Sequence, residues 1–220
     1  IDAVNYNQFL KDCVAAQAVN PDRVLDFGAG LGTFSDSVSV APGQISCVEP
    51  DVSAQEILSA KGYRVYGSAE ELPRGQFTYV FSLNVLEHIE DDQAAIEQLY
   101  RAMAPCSRIF IYVPAFNHLR TKMDDLVGHC RRYKRAELSR LISAAGFTVL
   151  DSGYTDVLGY FATWLVILME KFQKNPGGEL NRPLVIVYDR VAFPLSRILS
   201  SLFKYLVGKN AYVVATKPSH

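Results

Sequence analysis

The chain alternates between short apolar runs and stretches with apolar residues at helical spacing, so strands are predicted to alternate with helices. Such alternation is typical of βαβ units in a mostly parallel sheet, which predicts the α/β class. The predicted strands cover residues 23–27, 45–49, 63–66, 77–83 and 108–113, a strand that opens at 147–150, and a last strand at 212–216. The predicted helices cover residues 5–19, a short stretch ending near Val40, and residues 52–60, 91–104, 134–145, 158–172 and 184–207.

The hydrophobic pattern changes after residue 156. Two helices that are apolar around most of their circumference are predicted there, with a loop at residues 175–178 between them. We interpret residues 157–209 as a helical cap inserted before the last strand. The whole chain is then a single domain whose core comprises residues 1–156 and 210–217.

The second cap helix also carries a basic stripe. Arg190, Arg197 and Lys204 recur every seven residues, so they lie near one another on the helix surface. A basic stripe beside an apolar surface has three interpretations: packing over a binding pocket, pairing with a second copy of the chain, or contact with an anionic membrane surface.

Composition and charge narrow the class of protein. The chain has 220 residues, with 22 Lys and Arg against 23 Asp and Glu, so no overall basic field exists to attract nucleic acid. Its four cysteines form no CxxC pair and no histidine has finger spacing, so no metal site is predicted. The scattered cysteines and the lack of a signal-peptide pattern predict a cytoplasmic protein. If the cap contacts a membrane, the inner membrane surface is the expected site.

A glycine-rich turn follows the first predicted strand, in the pattern Asp26-x-Gly28-x-Gly30-x-Gly32. Glycines there let backbone N–H groups approach a ligand. Glu49 ends the next strand, and adjacent strands would bring its carboxylate beside the turn to bind two ribose hydroxyls. The pattern therefore predicts an adenosine-containing ligand.

Two cofactors compete for this turn. The dinucleotide pattern GxGxxG requires glycine at position 33, which is Thr33. An acid at position 26 is unfavourable for a pyrophosphate but suits a sulfonium amino acid with a free ammonium group. An NAD(P)-dependent oxidoreductase remains the alternative.

Four ordered segments, residues 24–34, 48–51, 67–73 and 77–89, resemble the motifs of class I S-adenosylmethionine-dependent methyltransferases. The resemblance implies S-adenosyl-L-methionine as cofactor and a Rossmann-like, seven-stranded, mostly parallel sheet with a reversed last strand. Thr78-Tyr79 stands where the family usually has an acid. The cofactor contacts that we predict, several of them implied by the resemblance alone, are at Tyr6, Asp26, Gly28, Ala29, Gly30, Glu49, Pro50, Ala69, Glu70, Leu83 and Asn84.

His88 follows the fourth predicted strand, where the transferred methyl group should lie. Its ordinary pKa range suits a general base, although anchoring of the loop or contact with the cofactor also explains the residue. We therefore treat His88 as a candidate catalytic residue.

Residues 131–135 contain four basic side chains within five positions, at or before a predicted helix N-terminus. This placement opposes the helix dipole, which favours either a bound anion or nearby carboxylates from Asp124, Asp125 and Glu137. The segment 128–133, Gly-His-x-Arg-Arg-Tyr, is similar to a signature of methyltransferases often found in glycan and lipid biosynthesis. That likeness suggests that His129, as a second catalytic candidate, and Arg131, Arg132 and Tyr133, as substrate-binding residues, face the acceptor.

These features predict methyl transfer from S-adenosylmethionine to a small-molecule or lipid- or glycan-pathway acceptor. An anionic acceptor is one of the two interpretations of the arginines. A non-catalytic S-adenosylmethionine-binding partner subunit is a further alternative. Nucleic acid is disfavoured, because no Asn-Pro-Pro-Tyr or Asp-Pro-Pro-Tyr motif follows the fourth predicted strand.

Overall fold

The computed structural model describes residues 3–172 and 182–219. These residues form an α/β fold with a central seven-stranded sheet in the order β3-β2-β1-β4-β5-β7-β6. Strand β7 is antiparallel to both of its neighbours, and the other strands run parallel to one another, which confirms the predicted sheet. The strands are β1 (Val24–Phe27), β2 (Ile45–Val48), β3 (Arg64–Tyr66), β4 (Phe77–Leu83), β5 (Met103–Pro114), β6 (Thr148–Thr155) and β7 (Asn210–Thr216).

Helices cover both faces of the sheet, so the central strands are apolar on both sides. Leu10 and Val14 pack in the core on one face, and Leu138 and Ile142 pack on the other. The helices are α1 (Val4–Gln17), α2 (Val52–Ala60), α3 (Asp92–Ala102), α4 (Lys122–Leu126), α5 (Arg135–Ala144), α6 (Val157–Phe172), α7 (Arg182–Val187) and α8 (Phe193–Phe203).

The helix predicted between the glycine turn and Val40 is wrong. The chain there forms turns and a single 3₁₀ segment, Ser35–Ser37. The Ser35 hydroxyl donates a hydrogen bond to the Asp26 carboxylate at 2.7 Å. Serine and aspartate side chains that bond elsewhere compete with a regular helix, which explains why this short polar segment does not form one.

Strand β5 begins five residues earlier than predicted, directly after α3. Its pairing with β4 shifts between Phe77, which faces Met103, and Tyr79, which faces Arg108. The irregularity absorbs the intervening residues, including Pro105, which cannot donate to a regular ladder.

The cap lies between β6 and β7, as predicted, and its two ends meet where Thr155 pairs with Asn210. The single helix expected over residues 184–207 is instead α7, a π-helical segment Tyr188–Ala192, and α8. Pro194 lacks the N–H that would bond the carbonyl four residues earlier, which accounts for the widened turn before it. The predicted loop at 175–178 lies outside the described residues.

Helix α8 has an unusual distribution of polar and apolar residues. Its buried side includes Ser196, whereas Ile198, Leu202 and the following Leu206 are exposed, Leu202 by 74%. Even so, none of the helices within the described ranges is long and apolar enough to cross a bilayer.

Candidate functional site

The glycine turn closes tightly over the end of β4. Gly28 has a φ of +81°, and a Cβ atom at this position would overlap a Val85 methyl group. Gly30 also has positive φ (+53°), but the space beside its Cα is open. The turn therefore requires glycine for two different reasons: contact at position 28 and conformation at both.

Glu49 lies beside this turn, as the sequence predicts. Its Oε2 accepts a hydrogen bond from the Gly30 N–H at 2.8 Å, and its Oε1 accepts one from the Asp51 N–H at 3.0 Å. These two bonds fix the carboxylate at the end of β2. Since a carboxylate has about four lone-pair positions, it can still accept ribose hydroxyls.

Asp26 is buried at the end of β1 and accepts the hydrogen bond from Ser35. Burial raises the pKa of Asp26 to about 7, although the Ser35 hydrogen bond opposes the increase. A cationic ligand group near this carboxyl would favour its ionised form.

Tyr6, Leu83 and Asn84 lie at the same edge of the sheet. The Tyr6 hydroxyl is 3.5 Å from the Tyr112 hydroxyl and is close to Asn84. Burial raises the pKa of Tyr6 well above its usual value, so the phenol stays protonated. Asn84 has a φ of +56°, a left-handed turn that ends β4 directly after the buried Leu83.

The other predicted cofactor residues are less closely tied to the turn. Ala29 is buried within it, Pro50 is exposed after β2, and Ala69 is half-buried. The exposed Glu70 accepts a hydrogen bond from Gln98 of α3 at 3.1 Å, and hydrogen bonds from Ser68 and Gln98 lower its pKa. The contacts of all these residues with a cofactor stay predictions.

His88 and His129 come together beyond β4, although 41 positions separate them in sequence. Their ring centroids are 4.6 Å apart in an edge-to-face arrangement. His129 Nδ1 lies 2.7 Å from Asp124 Oδ1, and Nε2 lies 3.9 Å from Glu87 Oε1. Partial burial, followed by the neighbouring His129, lowers the pKa of His88, whereas burial raises the pKa of Glu87 to about 8.

The basic segment finds partners within the chain. Arg132 is buried and makes two hydrogen bonds to the Asp124 carboxylate, at 2.7 and 3.1 Å, and one to the Ala115 carbonyl. Arg131 pairs with Asp92 at 2.9 Å. Of the two interpretations of this segment, these pairs favour internal carboxylates.

Asp124 is the centre of this network. Burial alone would raise its pKa, but hydrogen bonds from Arg132, Thr121 and His129 hold it well below the usual range. The Tyr133 hydroxyl donates to the Leu86 carbonyl at 3.1 Å and lies 2.7 Å from Asp92. The geometry thus favours a positioning role for Arg132 and Tyr133, and direct acceptor contact stays a prediction.

Sequence reasoning missed Asp189, which lies in the π-helical segment. Its carboxylate accepts hydrogen bonds from the backbone N–H groups of Asn5 and Tyr6, both at 2.9 Å, and thereby caps α1. It also left Glu87 without a role, although the residue lies inside a quoted motif. An acid within an apolar helix was the available signal for Asp189.

Comparison with known proteins places the chain in a family. Residues 5–152 match the family model described as a methyltransferase domain. Norajmaline N-methyltransferase from Rauvolfia serpentina is 25% identical over 119 residues, which is 48% of this chain and 40% of that protein's length.

Solved structures share the fold at low sequence identity. A SAM-dependent methyltransferase from Thermotoga maritima superimposes with a TM-score of 0.62 at 17% identity, covering 97% of this chain and 91% of that one. Phosphoethanolamine N-methyltransferase 2 from Haemonchus contortus, solved with S-adenosyl-L-methionine, gives 0.58 at 16% identity, covering 98% of this chain and 53% of that one. The match to a methyltransferase domain argues against the oxidoreductase alternative. The chain therefore belongs to the methyltransferase domain family and has the Rossmann-like fold of S-adenosylmethionine-dependent methyltransferases.

Proposed function

We propose that the protein transfers a methyl group from S-adenosylmethionine to a small-molecule acceptor. The observation that carries the proposal is the hydrogen bond between Glu49 and the Gly30 N–H, because it joins the two elements that would hold the nucleoside and the methionine ends. The family match supports the same chemistry.

The groups around the turn suit the charges of the cofactor, and the backbone at Gly30 is accessible to it. Glu49 would accept hydrogen bonds from the ribose hydroxyls, and the open space beside Gly30 would let the ligand lie close to the backbone. The Asp26 carboxylate would attract the ammonium group of the cofactor. Tyr6 and Asn84 would border the methionine end. When bound, the cofactor supplies an electrophilic methyl group, and the chain's own task is to position the acceptor and exclude water.

In this proposal the acceptor binds next to His88 and His129, beyond the end of β4. Relatives named as methyltransferases of norajmaline and phosphoethanolamine act on small molecules, which supports an acceptor of that size. Arg131, whose side chain is one-third exposed, is the arginine of the motif best placed to reach an anionic acceptor from a lipid or glycan pathway.

The cap supports a membrane as the source of such an acceptor. Exposed apolar residues recur at helical spacing along α7, the π-helical segment and α8, and Arg190 and Arg197 lie in the same stretch. Apolar residues beside exposed cations suit anionic lipid headgroups. The exposed apolar residues are Leu184, Val187, Val191, Leu195, Ile198, Leu202 and Leu206.

Vesicle sedimentation tests the membrane contact. We expect binding to vesicles that contain anionic lipid, loss of binding in Ile198→Glu/Leu202→Glu, and no loss in Val52→Glu, an equally exposed apolar site outside the cap. A stable dimer that does not bind vesicles would show that a second copy covers this surface instead.

Calorimetric titration with S-adenosylhomocysteine tests the cofactor site. Glu49→Ala should weaken binding by about 1–3 kcal/mol, because a charged hydrogen-bond partner is lost. Glu49→Gln keeps an acceptor for one backbone N–H, so it separates loss of charge from loosening of the turn. Glu56→Gln, an exposed acid of α2, is the control. Unchanged affinity in both Glu49 variants would reject the assignment, and cofactor binding without transfer to any acceptor would indicate the non-catalytic alternative.

A further inference from the structure

Glu87, His88 and His129 converge from two separate segments of the chain. One ligand atom of each side chain lies within 4.8 Å of the others. Glu87 and His88 lie in the 3₁₀ segment Leu86–His88, shortly after β4, and His129 comes from the loop between α4 and α5. No regular sequence spacing of the kind found in zinc fingers connects them.

The Glu87 carboxylate is buried without a side-chain hydrogen-bond partner. The residue is 0% exposed, and neither of its side-chain oxygens has a hydrogen-bond partner among the described residues. Burying an unpaired carboxylate is unfavourable by several kcal/mol, and such groups in proteins are normally paired or coordinate metals. Protonation would remove the charge but would still leave the oxygens without partners.

His129 is oriented as metal-binding histidines usually are. Its Nδ1 lies 2.7 Å from the Asp124 carboxylate, which Arg132 and Thr121 hold in place. A carboxylate on one ring nitrogen fixes the tautomer and directs the other nitrogen towards the metal. In this structure the other nitrogen, Nε2, is the atom that lies near Glu87.

We propose that Glu87, His88 and His129 Nε2 bind a divalent transition-metal ion of the Zn²⁺ type. Two imidazoles and one carboxylate select such ions over Mg²⁺ and Ca²⁺, which prefer oxygen ligands. Bonds of about 2.1 Å place ligand atoms roughly 3.4 Å apart, so the 3.9 Å between Nε2 and the carboxylate closes by a small side-chain rotation.

The site would be open on one side. His88 is exposed, so a three-residue set leaves a coordination position for water or for an oxygen of the acceptor. The sequence predicted no metal because that argument considered cysteine pairs and finger spacing, which do not detect ligands contributed by distant segments.

Equilibrium dialysis of the chelator-treated full chain against Zn²⁺ tests the proposal, and Co²⁺ absorption spectra report the ligand set. We expect one ion per chain in the wild type, and affinity at least about 10-fold weaker in His88→Gln and in His129→Gln. His118→Gln is the matched control, because His118 contacts Tyr160 rather than the cluster. Glu87→Gln should weaken Zn²⁺ binding as well. If this variant of a buried residue fails to fold, His88→Gln still tests the site, because His88 is exposed.

Less than one ion per chain, or equal affinity in the wild type and both histidine variants, would overturn the metal site. A titration with S-adenosylhomocysteine in the presence of chelator runs in parallel. Because the metal site does not depend on the cofactor turn, this second measurement distinguishes failure of the metal proposal from failure of the methyltransferase proposal.

Discussion

Replacing Asp189 should loosen the start of α1 and displace Tyr6. The Asp189 carboxylate is 3% exposed and accepts from the first N–H groups of α1, which have no partner inside the helix. The Tyr6 ring also packs edge-to-face on Phe193 of α8, with centroids 5.4 Å apart. The helical cap, through Asp189 and Phe193, therefore holds Tyr6 in place, and Tyr6 is the residue that we expect to border the cofactor.

The size of the effect follows from these contacts. Loss of a helix cap destabilises by about 0.5–2 kcal/mol, and each buried N–H left unpaired costs about 1–3 kcal/mol. Since the two N–H groups are only partly buried, we expect Asp189→Ala to lower the free energy of unfolding by about 2–3 kcal/mol. For a chain of this size, that corresponds to a decrease in Tm of roughly 4–12 °C. Asp189→Asn keeps one side-chain acceptor and should lose about half as much.

Urea unfolding and calorimetric titration with S-adenosylhomocysteine measure the two consequences separately. We expect Asp189→Ala to lower both stability and affinity, with affinity measured on the folded fraction. Asp12→Ala removes an exposed acid of the same helix whose contact with Arg197 of α8 is long, 3.9 Å, and solvent-exposed, so it should change stability by less than about 0.5 kcal/mol. A loss below that value in Asp189→Ala would refute the capping role. Normal affinity in a destabilised variant would refute the link to Tyr6.

Three further predictions concern residues near the site. Gly28→Ala should destabilise the fold and weaken cofactor binding more than Gly30→Ala, because position 28 combines positive φ with a close contact, whereas the space at position 30 is open; thermal melts and titrations compare the two. Arg132→Leu should lower the free energy of unfolding by about 3–5 kcal/mol in urea, since it leaves the buried Asp124 carboxylate without its ion-pair partner. The folded-state pKa of Asp26 is about 7, above its unfolded value of ~3.9, so the protonated carboxyl stabilises the ligand-free fold at low pH. This stabilisation should be lost as the pH rises from about 4 to 7. Asp26→Asn should abolish the decrease in pH-dependent melts.

The sheet and its cofactor edge were largely predictable because they depend on local patterns. Buried strands read as continuous apolar runs, and the end of β2 must lie beside the end of β1 when the two strands are parallel neighbours. The position of Glu49 beside Gly30 follows from that rule alone.

The features that sequence did not predict depend on contacts between distant segments. The hydrogen bond from Asn5 to Asp189 at the start of α1 joins residues 184 positions apart, and the cluster of Glu87, His88 and His129 combines two separate segments. The missing helix before Val40 reflects a similar limit, because the Ser35 hydroxyl bonds to an acid of another element. Helical propensity considers neighbours within a turn or two and contains no information about such partners.

The cap leaves the sheet at Thr155 and returns at Asn210, which are partners on adjacent strands. Residues can therefore be added to or removed from the helical cap without shifting the register of β6 or β7. Each doubling of loop length adds only about 0.6 kcal/mol of closure entropy, so a change in length away from the contacts with α1 should alter stability little. The length of the cap can therefore vary while the sheet keeps its strand pairing, provided that Asp189 and Phe193 keep their contacts with α1.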